Sequence, residues 1–400
     1  MNLRVVAAAL TVAGSSLVFA QQRLVFHAEA NYVEIDAVAQ DKDGHFVSGL
    51  TAADFAIREA KVPQQIDSFT YVELPVAGHP APAVPIAPAR INPELHVAPG
   101  SLDGRVYLIF LDPQSQPGPV RAGAVTSSSF GTLDVRKRAR EFVTGFLQPG
   151  DLAAVWNTEV HTADLTFTTN RGQLLQMIDG RSASKVTGSP TDQMLQLKAA
   201  VDLLGGVQGR RKSLLLFTEG WPVLTTYHRN SRTGKIVPEV RSWFSGLDPG
   251  SQYVPGSPAL ADEFDDLNQI DITGRADVHI YTIDTRGLVA PGSSATGQYR
   301  NGPDPAGPDE IAGQISAEYD ALSASTMDLH TIADSTGGLS FINSNDFKKG
   351  FTEIVDDNSR YYVLGYYSSN TTRDGRFVPV DVTTTRPGLV IRARKGYVAK

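Results

Sequence analysis

Four hundred residues are too many for one ordinary hydrophobic core, so two structural units are expected. With 41% hydrophobic and 20% charged residues the chain is globular rather than disordered, and a net charge of −7 gives no electrostatic footing for nucleic acid. Cysteine is absent, which removes disulfides, thiol catalysis and thiolate metal sites.

Residues 1–20 read as a signal peptide. Arg4 supplies the positive start, no charge falls between Val5 and Ala20, and Val18-Phe19-Ala20 offers a cleavage site before the polar Gln21-Gln22. The apolar run is about 16 residues, short of the roughly 20 needed to cross a bilayer. The expectation is an exported protein, periplasmic or extracellular, with no stable membrane span in the mature chain.

Residues 21–75 form an N-terminal β segment. Val33, Ile35, Ala37 and Ala39 alternate with other side chains at the period of a half-buried strand, and "DKDG" (Asp41 to Gly44) reads as a hairpin turn rather than a calcium loop, which would need further acids. A short helical turn capped by Thr51 and further strands follow. Residues 76–104 are a linker: seven prolines between Pro75 and Pro99 rule out a helix or a central strand.

Over residues 105–356 strands and helices alternate. "RVYLIFLD", "RKSLLLFTEG" and "VHIYTIDTRG" are buried runs of the kind found in parallel sheets covered on both faces. "TLDVRKRAREFVTGFLQPGD" places Val135, Ala139, Phe142, Val143 and Phe146 on one helical face, and its Arg136, Lys137, Arg138 and Arg140 on a solvated one. Further helices are expected over "NRGQLLQMIDG", "SPTDQMLQLKAAVDLLGG", "PALADEFDDLNQIDITGRAD", "ISAEYDALSASTMDLHTIADSTGG" and "NDFKKGFTEIVDDNS". Residues 357–400 read as a three-stranded antiparallel meander with turns at Asp374-Gly375 and Pro387-Gly388. The fold class that results is α/β: a Rossmann-like, doubly wound, mostly parallel sheet inserted in a smaller β-sandwich formed by the N- and C-terminal segments.

These pieces, in this order and spacing, resemble the von Willebrand factor A-related proteins predicted to be secreted by acidobacteria and similar soil bacteria. The resemblance is carried by "VEIDAVAQDKDGHFVSGLTAADFAIRE", "RVYLIFLD", "VRKRAREFVTGFLQPGD", "RKSLLLFTEG", "VHIYTIDTRGL", "LHTIADSTGG" and the tail from "YYVLGYYSSN" to "KGYVA". It implies an adhesion or assembly module, typically not an enzyme. It also implies Mg²⁺ or Mn²⁺ at the carboxyl ends of the strands, held by an Asp-x-Ser-x-Ser run, a Thr and a later Asp. A hard dication wants such oxygen ligands. Here Asp112 fits the first position, but Gln114 and Gln116 stand at the serine positions and Ser115 is out of phase. Thr187 or Thr191 offers the threonine, and Glu219 stands where Asp is usual. The site is therefore a degenerate one, with weak or absent binding expected.

Asp284 ends the next strand, so Asp112, Glu219 and Asp284 are expected side by side on one rim. Converging carboxylates need a cation, a proton or an arginine, and Arg286 is the nearest such group in sequence. The candidate metal set is Asp112, Ser115, Glu219 and Asp284. Two irregular stretches leave the same rim, 221–258 and 287–309. Trp221, Tyr227, Trp243, Phe244 and Tyr253 on the first are candidate partner contacts, set against simple packing on the rim. No His-Glu-x-x-His run, Gly-x-Ser-x-Gly elbow or phosphate-binding glycine loop occurs. The expected function is a secreted, non-enzymatic binding or adhesion module for a protein or cell-envelope ligand. The alternatives are a structural part of an envelope assembly and a hydrolase using the rim carboxylates.

Overall fold

A computed structural model describes residues 31–74, 76, 89–90, 104–112, 131–157, 165–180, 190–207, 211–221, 224–229, 236–241, 277–288, 308–370, 372 and 374–399. In chain order, β1 (Tyr32–Gln40), a 3₁₀ turn (Ala52–Asp54), β2 (Phe55–Glu59), β3 (Val62–Gln64), β4 (Ile66–Glu73) and a two-residue β5 (Ala89–Arg90) come first. Next are β6 (Val106–Asp112), α1 (Gly131–Gly145), β7 (Leu152–Trp156), β8 (Thr166–Phe167), α2 (Arg171–Asp179), α3 (Pro190–Gly205) and β9 (Lys212–Thr218). The hairpin β10 (Leu224–Arg229) and β11 (Ile236–Arg241), then β12 (Val278–Asp284), α4 (Pro308–Ser335), β13 (Ser340–Phe341) and α5 (Phe347–Asp357) follow. The last strands are β14 (Arg360–Tyr367), β15 (Phe377–Thr384), β16 (Val390–Ala393) and β17 (Gly396–Val398).

Every side chain of β6, β9 and β12 is buried, because these strands lie inside a parallel sheet of order β13-β12-β9-β6-β7 with helices on both faces. One face packs Leu108, Phe110, Leu214 and Ile280 against α3 and α4 through Leu197, Val201, Leu329 and Ile332. The other packs Ile109, Phe217 and Ile283 against Val135, Phe142, Leu174, Phe351 and Ile354 of α1, α2 and α5. Val135, Ala139, Phe142 and Val143 occupy the buried face of α1 as their spacing requires, with Phe146 partly buried beside them. The doubly wound sheet is thus realised. The turn after α4 needs its glycines: Gly337 has φ +73°, and a Cβ on Gly338 would lie 1.9 Å from the Ile280 carbonyl oxygen.

The first four strands and the last four make the sandwich. One sheet has the order β16-β1-β14-β4 and the other β17-β15-β2-β3. Their common core contains Ile35, Ala37, Phe55, Ile57, Tyr362, Leu364, Val380 and Val382, drawn from both ends of the chain. Asp41 and Gly44 close the "DKDG" hairpin turn. Thr51 donates from its amide and its hydroxyl to the Asp54 carboxylate at 2.7 and 2.9 Å.

Several expectations are corrected. The C-terminal strands do not form a meander, because both edges of β14 are taken by β1 and β4 and β15 pairs instead with β2 and β17. Strands at both corners pass from one sheet to the other, β3 into β4 and β16 into β17. The stretch after β9 is not wholly irregular, since β10 and β11 pair as an antiparallel hairpin with Tyr227 opposite Pro238. The linker contributes β5, which pairs with β8. The helix expected over "PALADEFDDLNQIDITGRAD" lies outside the described residues.

The sandwich docks on the amino ends of β6, β9 and β12 through a buried polar seam. Arg211 donates from Nε to Asn358 Oδ1 at 3.0 Å and from Nη1 to Asp36 Oδ2 at 3.2 Å, and its guanidinium lies 4.5 Å from the Tyr361 ring centre. Asp357 accepts from Tyr281 at 2.5 Å and pairs with Arg392. Arg105 donates to Asp151 at 3.0 Å and to Ser359 Oγ at 2.7 Å, and His279 Nε2 lies 3.3 Å from Asp36 Oδ2. Asp36 is therefore buried although the alternation of β1 points it away from the sandwich core.

Candidate functional site

At the carboxyl ends of the same three strands, Asp112 of β6, Thr218 of β9 and Asp284 of β12 stand in register. This is the rim where open α/β sheets bind ligands. Asp112 and Asp284 are each already provided for, in different ways.

Asp112 is buried. Its Oδ1 accepts from Gln193 Nε2 of α3 at 2.8 Å and its Oδ2 from the Thr218 hydroxyl at 2.7 Å. The same hydroxyl lies 2.6 Å from the Gly220 carbonyl oxygen, so one proton is shared between two acceptors. Asp284 is gripped by Arg286. The backbone amide donates to Oδ1 at 3.1 Å, Nε donates at 2.9 Å to Oδ1 and 3.2 Å to Oδ2, and Nη2 donates to Oδ2 at 2.6 Å. Such a fork-to-carboxylate pairing is strong and directional. The guanidinium also covers Gly220, where a Cβ would fall 2.8 Å from Cζ, Nη1 and Nη2. Gly220 has φ +110°, a backbone conformation that favours glycine.

Among the described residues no comparable hydrogen bond reaches Glu219, and its carboxyl is pushed up to about 7. Burial is the main cause; the neighbouring charge of Asp134 on α1 adds to it, Arg286 opposes it, and Asp284 and Asp112 add further. Glu219 is the next residue along from Thr218, and the carboxylates of Asp112, Glu219 and Asp284 do not all come within 4.8 Å of one another. The expected convergence of three carboxylates is corrected accordingly. Among the described residues, one group of at least three acids or histidines brings its ligand atoms within 4.8 Å of one another, and it is Asp41, Asp43 and His45 in the β1 turn. There Asp41 Oδ1 accepts from the amides of Asp43 and His45, both at 2.9 Å, as a turn-forming acid does.

The described rim does not fit a dication of the implied kind. The oxygens of Asp112 and Asp284 face N–H and O–H donors, and a guanidinium already supplies positive charge. Thr191 lies in the first turn of α3, while Ser115, Thr187, Trp243, Phe244 and Tyr253 lie outside the described residues. Trp221 is corrected as a surface contact. It is fully buried in the cluster under α3 and α4, and its amide donates to Ser325 Oγ at 2.6 Å.

Gln193, Thr218 and Ser325 bond at this end of the sheet, and with the buried Asp328 of α4 were not singled out from sequence. A signal existed: Gln193 precedes Leu197 and Ala200 at helical spacing, and Ser325 and Asp328 precede Leu329 and Ile332 in the same way. A polar residue inside such a stripe has a partner to meet.

No protein-family model matches the chain, and no curated protein matches it. Among solved structures the chain is similar to an aerotolerance-related membrane protein from Bacteroides fragilis NCTC 9343, carrying multiple mutations to serines. The identity is 10% and the TM-score 0.29, over 64% of this chain and 98% of that one, a likeness too slight to carry an argument about this chain. Among the described residues no helix is long and apolar enough to cross a membrane.

Proposed function

We propose that this chain is an exported, non-enzymatic binding module of the von Willebrand factor A-like kind. Its contact surface is the rim at the carboxyl ends of β6, β9 and β12 together with the loops that leave it. One observation carries the reading. Asp112 and Asp284 are held on both oxygens by side chains of their own chain, which makes them supports of a shaped surface rather than reactive groups. The opposite end of the sheet is covered by the sandwich, so the rim is the end from which the β10–β11 hairpin and the segments 113–130 and 287–309 depart. The partner is a protein or a cell-envelope ligand.

The test replaces the segment 224–241 by a short Gly-Ser turn and compares capture from envelope extracts. The reading expects a partner retained by the full chain and lost by the shortened one, with circular dichroism unchanged. An identical set captured by both would contradict it. The mature protein should begin at Gln21, and a start at Met1 in the purified cellular protein would overturn export by a cleaved signal.

One observation favours a second reading, hydrolysis. Glu219 is a buried carboxyl brought to about 7, where a general acid or base works best. That reading requires turnover of an ester or glycoside that is lost in Glu219→Gln.

A further inference from the structure

The rim acids are arranged in a row, and a cation is the simplest group to hold such a row together. Asp112 and Asp284 lie on either side of β9, roughly 10 Å apart at Cα from two strand spacings. Asp112 turns one oxygen to Thr218 of β9, between the two acids. Arg286 places its guanidinium in this region. It holds Asp284 through Nε and Nη2 and lies flat over Gly220, next to the Thr218 hydroxyl that serves Asp112. The side chain is about one-fifth exposed (19%), so it lies at the mouth of the site rather than in the core. The guanidinium packs against the backbone at position 220, where a Cβ would meet Cζ, Nη1 and Nη2 at 2.8 Å.

We infer that Arg286 is the resident cation of this rim, a side chain standing where a divalent ion would, and that it makes the rim independent of metal. The guanidinium differs from an ion in two respects. It is tethered two residues from the acid it neutralises, so it is not lost on dilution or to chelators. It also turns its donors toward Asp284, which fixes that carboxylate in one orientation. A dication would have to displace this fork, repel its charge and dehydrate, and the acids left to it are few. The inference deepens the binding reading by making recognition at the rim metal-free. Its test needs no partner, so the two stand or fall separately.

The test is Arg286→Gln, which keeps a polar side chain, two bonds shorter than arginine, and removes the charge. Thermal unfolding and calorimetry are run on metal-stripped protein with Mn²⁺. The wild type should show no heat and no shift. Arg286→Gln should bind Mn²⁺ and gain roughly 5 °C at 100-fold excess over Kd. That gain should disappear when Asp284→Asn is added. Arg286→Lys, which retains the charge, should behave as the wild type does toward Mn²⁺. If Arg286→Gln is unfolded without metal, refolding it in Mn²⁺ gives the same answer: recovery supports the inference and failure to recover overturns it. A folded Arg286→Gln indifferent to Mn²⁺, or a wild type that binds the ion as tightly, would equally overturn it.

Discussion

The two ends of β6, β9 and β12 treat charge in opposite ways. At the amino ends, Arg105, Arg211 and Arg392 meet Asp151, Asp36 and Asp357 across the junction of the two units, and the groups are buried and closely matched. At the carboxyl ends, among the described residues, Asp112, Asp134, Glu219 and Asp284 are set against Arg286. Matched buried pairs hold two bodies in one orientation, and breaking one leaves a charge without water or partner. An unmatched row has electrostatic potential left over for something outside the chain. The seam is thus structural and the rim is the proposed contact surface, although both sit on the same strands.

The largest effect that would break this contrast comes from the seam side. Removing residues 360–400 takes away β14, which lies between β1 and β4, and with it Arg392 and the Tyr361 ring under Arg211. The sandwich should be lost as a folded unit. Hydrogen exchange would report residues 31–74 as unprotected in the truncated chain; protection equal to that of the full chain would show that the N-terminal strands stand alone.

On the rim side, Trp221→Ala should cost about 3–5 kcal/mol, the usual range for emptying a buried aromatic site. Denaturant unfolding measures it. A cost below about 1 kcal/mol would return Trp221 to the surface role its sequence context suggested.

A smaller effect sharpens the comparison through pH. Glu219 is raised from 4.5 to about 7, so the folded state binds its proton more tightly than the unfolded state does. That contribution is fully present below about pH 4.5 and is lost as pH rises through about 7, amounting to no more than about 3 kcal/mol. In the seam, burial alone would push Asp357 up, but Arg392 and Arg211 outweigh it and hold the carboxyl below its usual range. Its contribution is present above the ordinary carboxylate value and fails only in stronger acid. Asp151 is raised by burial against the pull of Arg105 and works in the same direction as Glu219. The difference between wild type and Glu219→Gln therefore isolates the rim. The variant should lose part of the decline in melting temperature between pH 4.5 and 7, and parallel curves would remove the unmatched carboxyl from the account.

Much of the fold is written locally. Unbroken apolar runs identify the parallel strands, and the spacing in "TLDVRKRAREFV" identifies the buried face of α1. What local patterns lack is pairing at a distance. Asp36 and Arg211 meet across 175 positions, and no periodicity joins them. Yet charged Arg105, Arg211 and Asp277 each stand directly before a buried strand, which is a trace of the seam. The tail misled through its turns. "RYYVLGYY" is buried on both faces at Tyr361-Tyr362 and Leu364-Gly365-Tyr366 while "FVPVDVTT" alternates from Phe377 to Thr383, and two partners of one hairpin would share a pattern. At the rim, Asp112, Glu219 and Asp284 were legible as acids ending strands, and Arg286 as the partner of Asp284. Gln193 was not, because an amide that reaches Asp112 from α3 becomes visible only once the helix is laid on the sheet.

The central claim is that Asp112 and Asp284 are held by the chain's own donors, so that the rim needs no metal. Titration calorimetry of the metal-stripped wild type with Mg²⁺, Mn²⁺ and Ca²⁺ tests it most directly. The account predicts no heat of binding and no change in melting temperature on adding chelator. Micromolar binding of any of the three ions, abolished by Asp112→Ala, would contradict it.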